Sequence, residues 1–214
     1  MLNPFRSGGN PHVLLVGMTG VKLGERFAQV GCAHGGRLAA VAAKVGLSGR
    51  AVAIVPDEAS AARARKGAAD AGVLVEVETA PPTQLPLEDE EIDLAVIDET
   101  SGLLRMLRPE DRAATVREVR RILRPGGRVL VVASAPRSGI GAWLTPGPGT
   151  PPFDPSPDLQ AGGFKSVRTL AEREGLVFVE GMKPRRLAPA GDSPSQPEHS
   201  VPPGAPPRRR VDAK

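Results

Sequence analysis

The stretch that most constrains the fold of this chain is a short apolar run followed directly by a cluster of glycines. Residues 26–30 read Arg-Phe-Ala-Gln-Val and residues 31–36 read Gly-Cys-Ala-His-Gly-Gly, after which an Ala-rich run extends to Val45. This pattern predicts a buried strand over 26–30, a tight turn, and a helix over 37–45. Glycines at such a turn let the backbone approach a ligand, and the following helix presents free N–H groups to it. The stretch is therefore typical of the first strand–turn–helix unit of a nucleotide-binding α/β domain.

Further strands and helices alternate along the chain at short intervals. Apolar strands are predicted over 51–55, 73–77, 92–97 and 128–133. One predicted helix ends at Ala71, where Gly72 follows, and another runs from Pro109 to Leu123. The alternation predicts parallel strands joined by right-handed crossovers.

The last part of the chain departs from this alternation. Residues 164–174 and 176–183 predict a closing antiparallel hairpin, with a helix over 166–174 as the alternative. The Gly- and Pro-rich loop 136–163, which contains Trp143, is long for a connection and is typical of a lid or a mobile segment.

Composition divides the chain into three predicted parts. Residues 1–21 are an N-terminal extension with a possible short helix over 12–21, and residues 22–186 are one α/β domain. Residues 187–214 are predicted to be a disordered tail, because Pro, Ser, Gly and Arg dominate there.

Composition also disfavours several classes of protein. The chain has 214 residues and is 40% hydrophobic, enough for the core of one domain, although only 3% is aromatic. A single cysteine predicts neither a disulfide nor a Cys-based metal site, and it favours a reduced, cytoplasmic setting. No secretory signal or membrane span is predicted. The net charge of +4 is modest and lies partly in residues 208–210, so a nucleic-acid partner is disfavoured.

Three stretches, taken in order, resemble the motifs of one protein family. Residues 30–36 resemble the glycine-rich first motif of class I S-adenosylmethionine-dependent methyltransferases, and residues 85–96 are similar to the entry into that family's fourth strand. Residues 122–130 (Ile-Leu-Arg-Pro-Gly-Gly-Arg-Val-Leu) closely match its turn into the fifth strand. The resemblance spans residues 22–183. It implies an α/β, Rossmann-like sheet of seven strands, mostly parallel with a closing antiparallel hairpin and helices on both faces.

The resemblance also implies S-adenosylmethionine as cofactor and a place for it. Gly31 and Gly35 match glycines that pass beneath the methionine part of the cofactor, and Ala33 stands where a middle glycine is usual. The positions that the resemblance assigns to cofactor binding are Gln29, Gly31, Cys32, Ala33, Gly35, Val55, Pro56 and Asp98.

Three polar anchors of the family's cofactor site are replaced. Gln29 stands where the first strand normally ends in an acid that holds the cofactor's amino group, and Val55 where an acid grips both ribose hydroxyls. Pro81 falls where an Asp often bonds the adenine amine, and Asp57 replaces the ribose acid only if its loop bends back. These replacements predict a weakened pocket, because a hydrogen bond to a charged group contributes about 1.5–3 kcal/mol.

Several residues near the glycine turn are candidates for the substrate side of the site. His34 is either a general base or ligand contact, or a polar loop residue, and Trp143 is either a lid over substrate or an anchor of its loop. Glu99 follows Asp98 at the carboxyl end of the fourth strand, where ligands of such sheets bind. His34, Glu99 and Trp143 are therefore predicted substrate contacts. Cys32 is either an activated thiol or a small buried filler.

The resemblance implies an S-adenosylmethionine-dependent methyltransferase that acts on an unidentified small molecule. No catalytic residue and no metal ligand is predicted, and methyl transfer requires mainly proximity and alignment. The alternative is a non-catalytic binding or regulatory protein of the same fold with a weakened cofactor pocket. A nicotinamide-dependent oxidoreductase is disfavoured, because the glycine spacing differs and Val55 cannot hold a ribose.

Overall fold

Seven strands and five helices make up the regular structure in the computed structural model, which describes residues 12–135 and 153–185. The strands are β1 Arg26–Val30, β2 Arg50–Val55, β3 Glu76–Thr79, β4 Ile92–Asp98, β5 Leu123–Ser134, β6 Lys165–Arg173 and β7 Leu176–Met182. The helices are α1 Val13–Thr19, α2 Gly35–Val45, α3 Glu58–Ala71, α4 Pro109–Ile122 and α5 Ser156–Ala161. None of these helices is long and apolar enough to cross a membrane.

All seven strands form one sheet in the order β3-β2-β1-β4-β5-β7-β6. The strands from β1 to β5 pair in parallel, and β7 pairs antiparallel with both β5 and β6. The predicted seven-stranded, mostly parallel sheet with a closing antiparallel hairpin is therefore confirmed.

The closing hairpin is made by a two-residue turn. Glu174 and Gly175 both have positive φ angles, 53° and 73°, which is the geometry of the tight turn that matches strand twist. The alternative prediction of a helix over 166–174 is wrong, because pairing with β7 places these residues in a strand. Periodicity alone did not separate the two structures in so short a segment.

Both faces of the sheet are buried, which explains the unbroken apolar runs in its central strands. Phe27, Leu38 and Leu94 belong to the cluster on the side of α2 and α3. Ala28, Ile97 and Val116 belong to the cluster on the side of α4. Because successive residues of a strand point to opposite faces, Gln29 shares the face of Phe27 and lies toward α2.

Two strands, β3 and β5, begin three or more residues away from the predicted start. The third strand was expected over 73–77, but β3 starts at Glu76, because its pairing with β2 runs from Val52↔Glu76 to Val55↔Thr79. This strand lies at the sheet edge and is mostly exposed, so an apolar run does not mark it.

The fifth strand was expected to begin after the turn at 125–127, but β5 begins at Leu123. The turn residues are bonded to the residue that follows β7: the Gly126 amide donates to the Lys183 carbonyl at 3.0 Å, and the Lys183 amide donates to the Gly127 carbonyl at 2.8 Å. These tertiary bonds extend the strand backward through residues that a sequence pattern assigns to a turn.

Candidate functional site

The candidate site lies where the carboxyl ends of β1 and β4 meet. From β1 the chain moves outward to β2 and β3 and then returns to β4 on the other side of β1. Such a reversal opens a crevice at the carboxyl edge of an α/β sheet, and ligands of these folds bind in it. The glycine turn leaves β1 into this crevice, with the Gly31 amide donating to the Ile54 carbonyl of β2 at 2.8 Å.

Asp98, the last residue of β4, ties the glycine turn to the segment that follows β4. Its Oδ2 accepts a hydrogen bond from the Ala33 amide at 2.8 Å, and its Oδ1 accepts from the amide and hydroxyl of Thr100 at 3.1 and 2.5 Å. The side chain is 4% exposed. Asp98 therefore fixes the position of the turn from inside the site.

Gln29 provides a hydrogen-bond acceptor in the same part of the site as Asp98. The side chain is 3% exposed, and its Nε2 donates to the Gly31 carbonyl at 2.9 Å. Within the described ranges its Oε1 accepts no hydrogen bond. This oxygen can accept a hydrogen bond from a bound ammonium or hydroxyl group.

A small cavity adjoins Gln29 and Asp98 on the α2 side of the sheet. Its lining residues are Leu15, Gln29, Arg37, Val41, Val96, Asp98 and Val132. The free space is about 10 Å³, close to the minimum that holds one water molecule. The cavity thus leaves little room beside Gln29 and Asp98, and Leu15 of α1 forms part of its wall.

Arg37 is a site residue that the sequence predictions missed. Its Nη1 donates to the Thr100 hydroxyl at 3.2 Å, so it is coupled through Thr100 to Asp98. Its place in the first turn of α2, directly after Gly35 and Gly36, was the available signal.

Gly31 and Gly35, the two glycines assigned to cofactor binding, are required for different structural reasons. Gly31 has a φ of +82°, and a Cβ there would lie 3.3 Å from the Asp98 carbonyl oxygen and 3.1 Å from the Leu103 Cδ2. Gly35 is instead required by helix packing, since a Cβ there would lie 2.1 Å from the Arg63 carbonyl oxygen of α3. Gly31 is thus required by its positive φ and by close packing against the end of β4.

Cys32 is buried between the turn and α3. Its side chain is 3% exposed, and its carbonyl oxygen accepts from the Arg63 Nε at 3.1 Å. Burial is the main cause that raises the pKa of the Cys32 thiol to about 11. The nearby Asp98 carboxylate also raises this pKa, whereas the positive charge of Arg63 lowers it. A thiol of this kind packs as filler and is not activated.

Cys32 is expected to resist thiol reagents in the folded protein. At pH 8 the fraction of thiolate is very small because the pKa is about 11, and the sulfur is shielded from solvent. Labelling with a maleimide or an aromatic disulfide should be slow in buffer and complete within minutes after unfolding in denaturant. Rapid stoichiometric labelling of the native protein would contradict this placement of Cys32.

The end of β2 offers apolar contact and no acid to a ligand. Val55 is fully buried and packs in the cluster on the side of α2 and α3, and Pro56 is exposed. Asp57 does not bend back toward the crevice. It caps α3, with its Oδ1 accepting from the Ser60 amide at 2.7 Å, and this bond is the main cause that lowers the pKa of Asp57. Pro81 is exposed beyond the end of β3.

The predicted substrate contacts fall in different places. His34 is exposed at the start of α2 and makes no capping bond from its side chain. His12 lies beside it, and burial, together with Arg37 and then His34, lowers the pKa of His12. Trp143 lies outside the described residues.

Glu99 is turned away from the crevice. It is 3% exposed, and its carboxylate accepts from the amide of Leu104 and, at 3.2 Å, from the amide of Arg105. Burial raises the pKa of Glu99. The side chain thus holds the backbone of the segment after β4.

Residues 28–131 match the family model described as "Methyltransferase domain". The matched segment runs from β1 into β5 and includes the glycine turn, Val55 and Asp98. Over this segment the chain carries a methyltransferase domain, and its fold is that of class I S-adenosylmethionine-dependent methyltransferases. The family resemblance of the three sequence motifs is confirmed.

Solved structures share the fold of the methyltransferase domain. A SAM-dependent methyltransferase from Aquifex aeolicus superposes with a TM-score of 0.64 at 19% identity, over 79% of this chain and 87% of that one. The [4+2]-cyclase SpnF superposes with a TM-score of 0.60 at 18% identity, over 80% and 79% of the two chains. At these identities the likeness establishes the fold.

A curated relative is similar over part of its length. It is an uncharacterized 37.1 kDa protein in transposon TN4556 of Streptomyces fradiae, 35% identical over 108 residues. The match covers 50% of this chain and 30% of that protein, so it spans less than a third of the relative's length.

Proposed function

We propose that the protein binds S-adenosylmethionine at the crevice above β1, β2 and β4 and transfers the methyl group to a small molecule. The observation that supports this most directly is that Gln29 and Asp98 line one cavity, while Asp98 also holds the glycine turn beside it through the Ala33 amide. The proposed cofactor contacts are Gln29, Gly31, Cys32, Ala33, Gly35, Val55, Pro56 and Asp98.

The methionine part of the cofactor carries an ammonium and a carboxylate, and the residues present fit both. The open acceptor of Gln29 suits the ammonium. The amides of Gly35 and Gly36 donate no hydrogen bond within the described residues, and the first turn of α2 contains no acid. Together with Arg37 they provide donors and a positive helix end for the carboxylate.

The adenosine end is held more weakly. Val55 and Pro56 offer apolar surface, and neither an acid at the end of β2 nor Asp57 is available to the ribose. Because each lost charge-assisted bond is worth about 1.5–3 kcal/mol, and about 1.4 kcal/mol is tenfold in affinity, the affinity is reduced by several powers of ten relative to a full set of anchors.

When bound, S-adenosylmethionine supplies an electrophilic methyl group on its sulfonium. The chain's residues have to hold that group in line with an acceptor and exclude water, and no base is required when the acceptor is already nucleophilic. His34, exposed at the start of α2, and Trp143 are the proposed acceptor-side contacts. Glu99 is not among the proposed acceptor contacts, because its carboxylate binds the backbone amides of Leu104 and Arg105.

Calorimetry with S-adenosylmethionine and S-adenosylhomocysteine tests the proposal. We expect weak binding by the natural chain and about tenfold tighter binding by Gln29→Glu, because a carboxylate holds an ammonium more strongly than an amide does. Gln160→Glu, which makes the same charge change on exposed α5, is the matched control and should leave binding unchanged. Absence of heat at millimolar cofactor for both the natural chain and Gln29→Glu would overturn the proposal.

The second candidate is a non-catalytic binding or regulatory protein of the same fold. The neutral Gln29, the buried Val55 and the small size of the cavity favour it. The two candidates differ in turnover: an enzyme releases S-adenosylhomocysteine when supplied with a mixture of small nucleophiles, whereas a binding protein retains the cofactor intact.

A further inference from the structure

Arg37 is a cation of the candidate site that forms no salt bridge within the described residues. It lines the cavity that Gln29 and Asp98 also line, and its side chain is half-buried. The one hydrogen bond of its side chain to the described part of the chain runs from Nη1 to the Thr100 hydroxyl at 3.2 Å. An arginine side chain has several N–H donors, so most of this guanidinium remains available to an anion.

The Thr100 hydroxyl joins Arg37 to Asp98, and the chemistry of the three groups fixes the direction of each hydrogen bond. An ionised carboxylate can only accept, so the single hydroxyl proton of Thr100 is donated to the Asp98 Oδ1, at 2.5 Å. A guanidinium can only donate, so the Thr100 oxygen accepts from Arg37. Asp98 therefore orients the hydroxyl, and the hydroxyl oxygen orients the guanidinium.

Thr100 itself is held by two neighbouring strands of the sheet. Its amide donates to the Asp98 Oδ1 at the end of β4, at 3.1 Å, and its carbonyl accepts from the Ser134 hydroxyl of β5 at 3.2 Å. The hydroxyl thus has a fixed position relative to the sheet, whereas the long side chain of Arg37 has many rotamers of its own. Removal of the hydroxyl would free the guanidinium to move without removing its charge.

We propose that Thr100 is a positioning residue: it holds the Arg37 guanidinium toward the carboxylate of the bound cofactor, and Arg37 thereby makes the pocket selective for ligands that carry this carboxylate. This inference rests on the proposed function, because it assigns a role within the same cofactor site. Thr100 is not among the positions that the family resemblance assigns to cofactor binding.

The placement of Gln29 supports this assignment. Its side chain is 3% exposed, its Oε1 accepts no hydrogen bond within the described residues, and it lines the same cavity as Arg37. The ammonium and the carboxylate of an amino acid are attached to one carbon atom, so the groups that bind them have to lie side by side. Because an amide holds an ammonium less strongly than an acid does, the contact between Arg37 and the carboxylate carries a larger share of the binding.

Thr100→Val and Thr100→Ser test the positioning role, because valine has nearly the shape of threonine without the hydroxyl, and serine keeps the hydroxyl. Ligand-observed NMR titration compares S-adenosylhomocysteine with its decarboxylated analogue, which keeps the ammonium and lacks the carboxylate. We expect Thr100→Val to weaken binding of S-adenosylhomocysteine about tenfold and to change binding of the analogue by less than about twofold. Thr100→Ser should retain most of the affinity for S-adenosylhomocysteine.

Thr169→Val is the matched control, since it makes the same substitution at an exposed position of the edge strand β6. It should bind both ligands as the natural chain does. Arg37→Gln is the second variant, and it tests the same inference if Thr100→Val does not fold. It should show the same selective loss, and adding Thr100→Val to it should cause no further selective loss, because Thr100 acts through Arg37.

An equal loss of both ligands by Thr100→Val would show that the hydroxyl only supports the turn, and it would overturn the positioning role. Unchanged binding of S-adenosylhomocysteine by Thr100→Val or by Arg37→Gln would overturn it as well. In each of these cases, binding by the natural chain still supports the proposed function. If neither the natural chain nor Gln29→Glu binds either ligand at millimolar concentration, the proposed function fails, and the role of Thr100 fails with it.

Discussion

Gly67→Ala is expected to destabilise the domain by about 3 kcal/mol, after the small gain in helix propensity is included. A Cβ on Gly67 of α3 would lie 2.3 Å from the carbonyl carbon and 2.5 Å from the Cα of Gly35 in α2. These are backbone atoms, so neither helix can relieve the overlap by changing a rotamer. The helices have to separate along their whole contact, which opens the core beneath them.

The measurement for Gly67→Ala is urea unfolding followed by far-ultraviolet circular dichroism. Gly17→Ala is the matched control, because Gly17 lies inside helix α1 and a Cβ there would meet no atom within 4 Å. That substitution should stabilise the protein by about 0.5–1 kcal/mol. A Gly67→Ala variant as stable as the natural chain would contradict the close crossing of α2 and α3.

Asp98→Ala is expected to lower stability by about 3 kcal/mol and cofactor binding by at least about a hundredfold. The variant leaves the Ala33 amide and the Thr100 amide and hydroxyl without their acceptor. Because the turn then loses its link to β4, it no longer keeps a fixed geometry relative to the Gln29 acceptor. The effect on stability is independent of the proposed function, and the effect on binding depends on it.

Two further variants separate charge from geometry at Asp98. Asp98→Asn keeps one carbonyl oxygen for Thr100 but sets an amide donor against the Ala33 donor, so an intermediate loss is expected. Asp70→Ala removes an exposed acid that pairs with Lys66 on α3, and it should change stability by less than about 0.5 kcal/mol. Equal stability of Asp98→Ala and Asp70→Ala would show that Asp98 does not tie the turn.

Local sequence pattern identified those elements whose formation depends on residues adjacent in the chain. The apolar run before the glycine turn predicts β1, and Gly72 marks the end of α3, because the strand period and the helix stop depend on adjacent residues. The direction in which the Glu99 side chain points could not be predicted from local sequence pattern. Its carboxylate is drawn to amides that become available only once the chain folds back after β4.

The sequence by itself determined the α/β alternation, the parallel sheet and the glycine turn at its carboxyl edge, because each depends on short-range periodicity and turn chemistry. Through the family resemblance it also predicted that Gln29, Val55 and Pro81 replace polar anchors, because residue type is read directly. Only the tertiary structure decided why Gly35 is a glycine and that Asp98 fastens the turn. It likewise decided that Leu103 packs against Gly31. These contacts join residues from 28 to 72 positions apart in the chain, and their geometry is set by the packing of whole helices and strands.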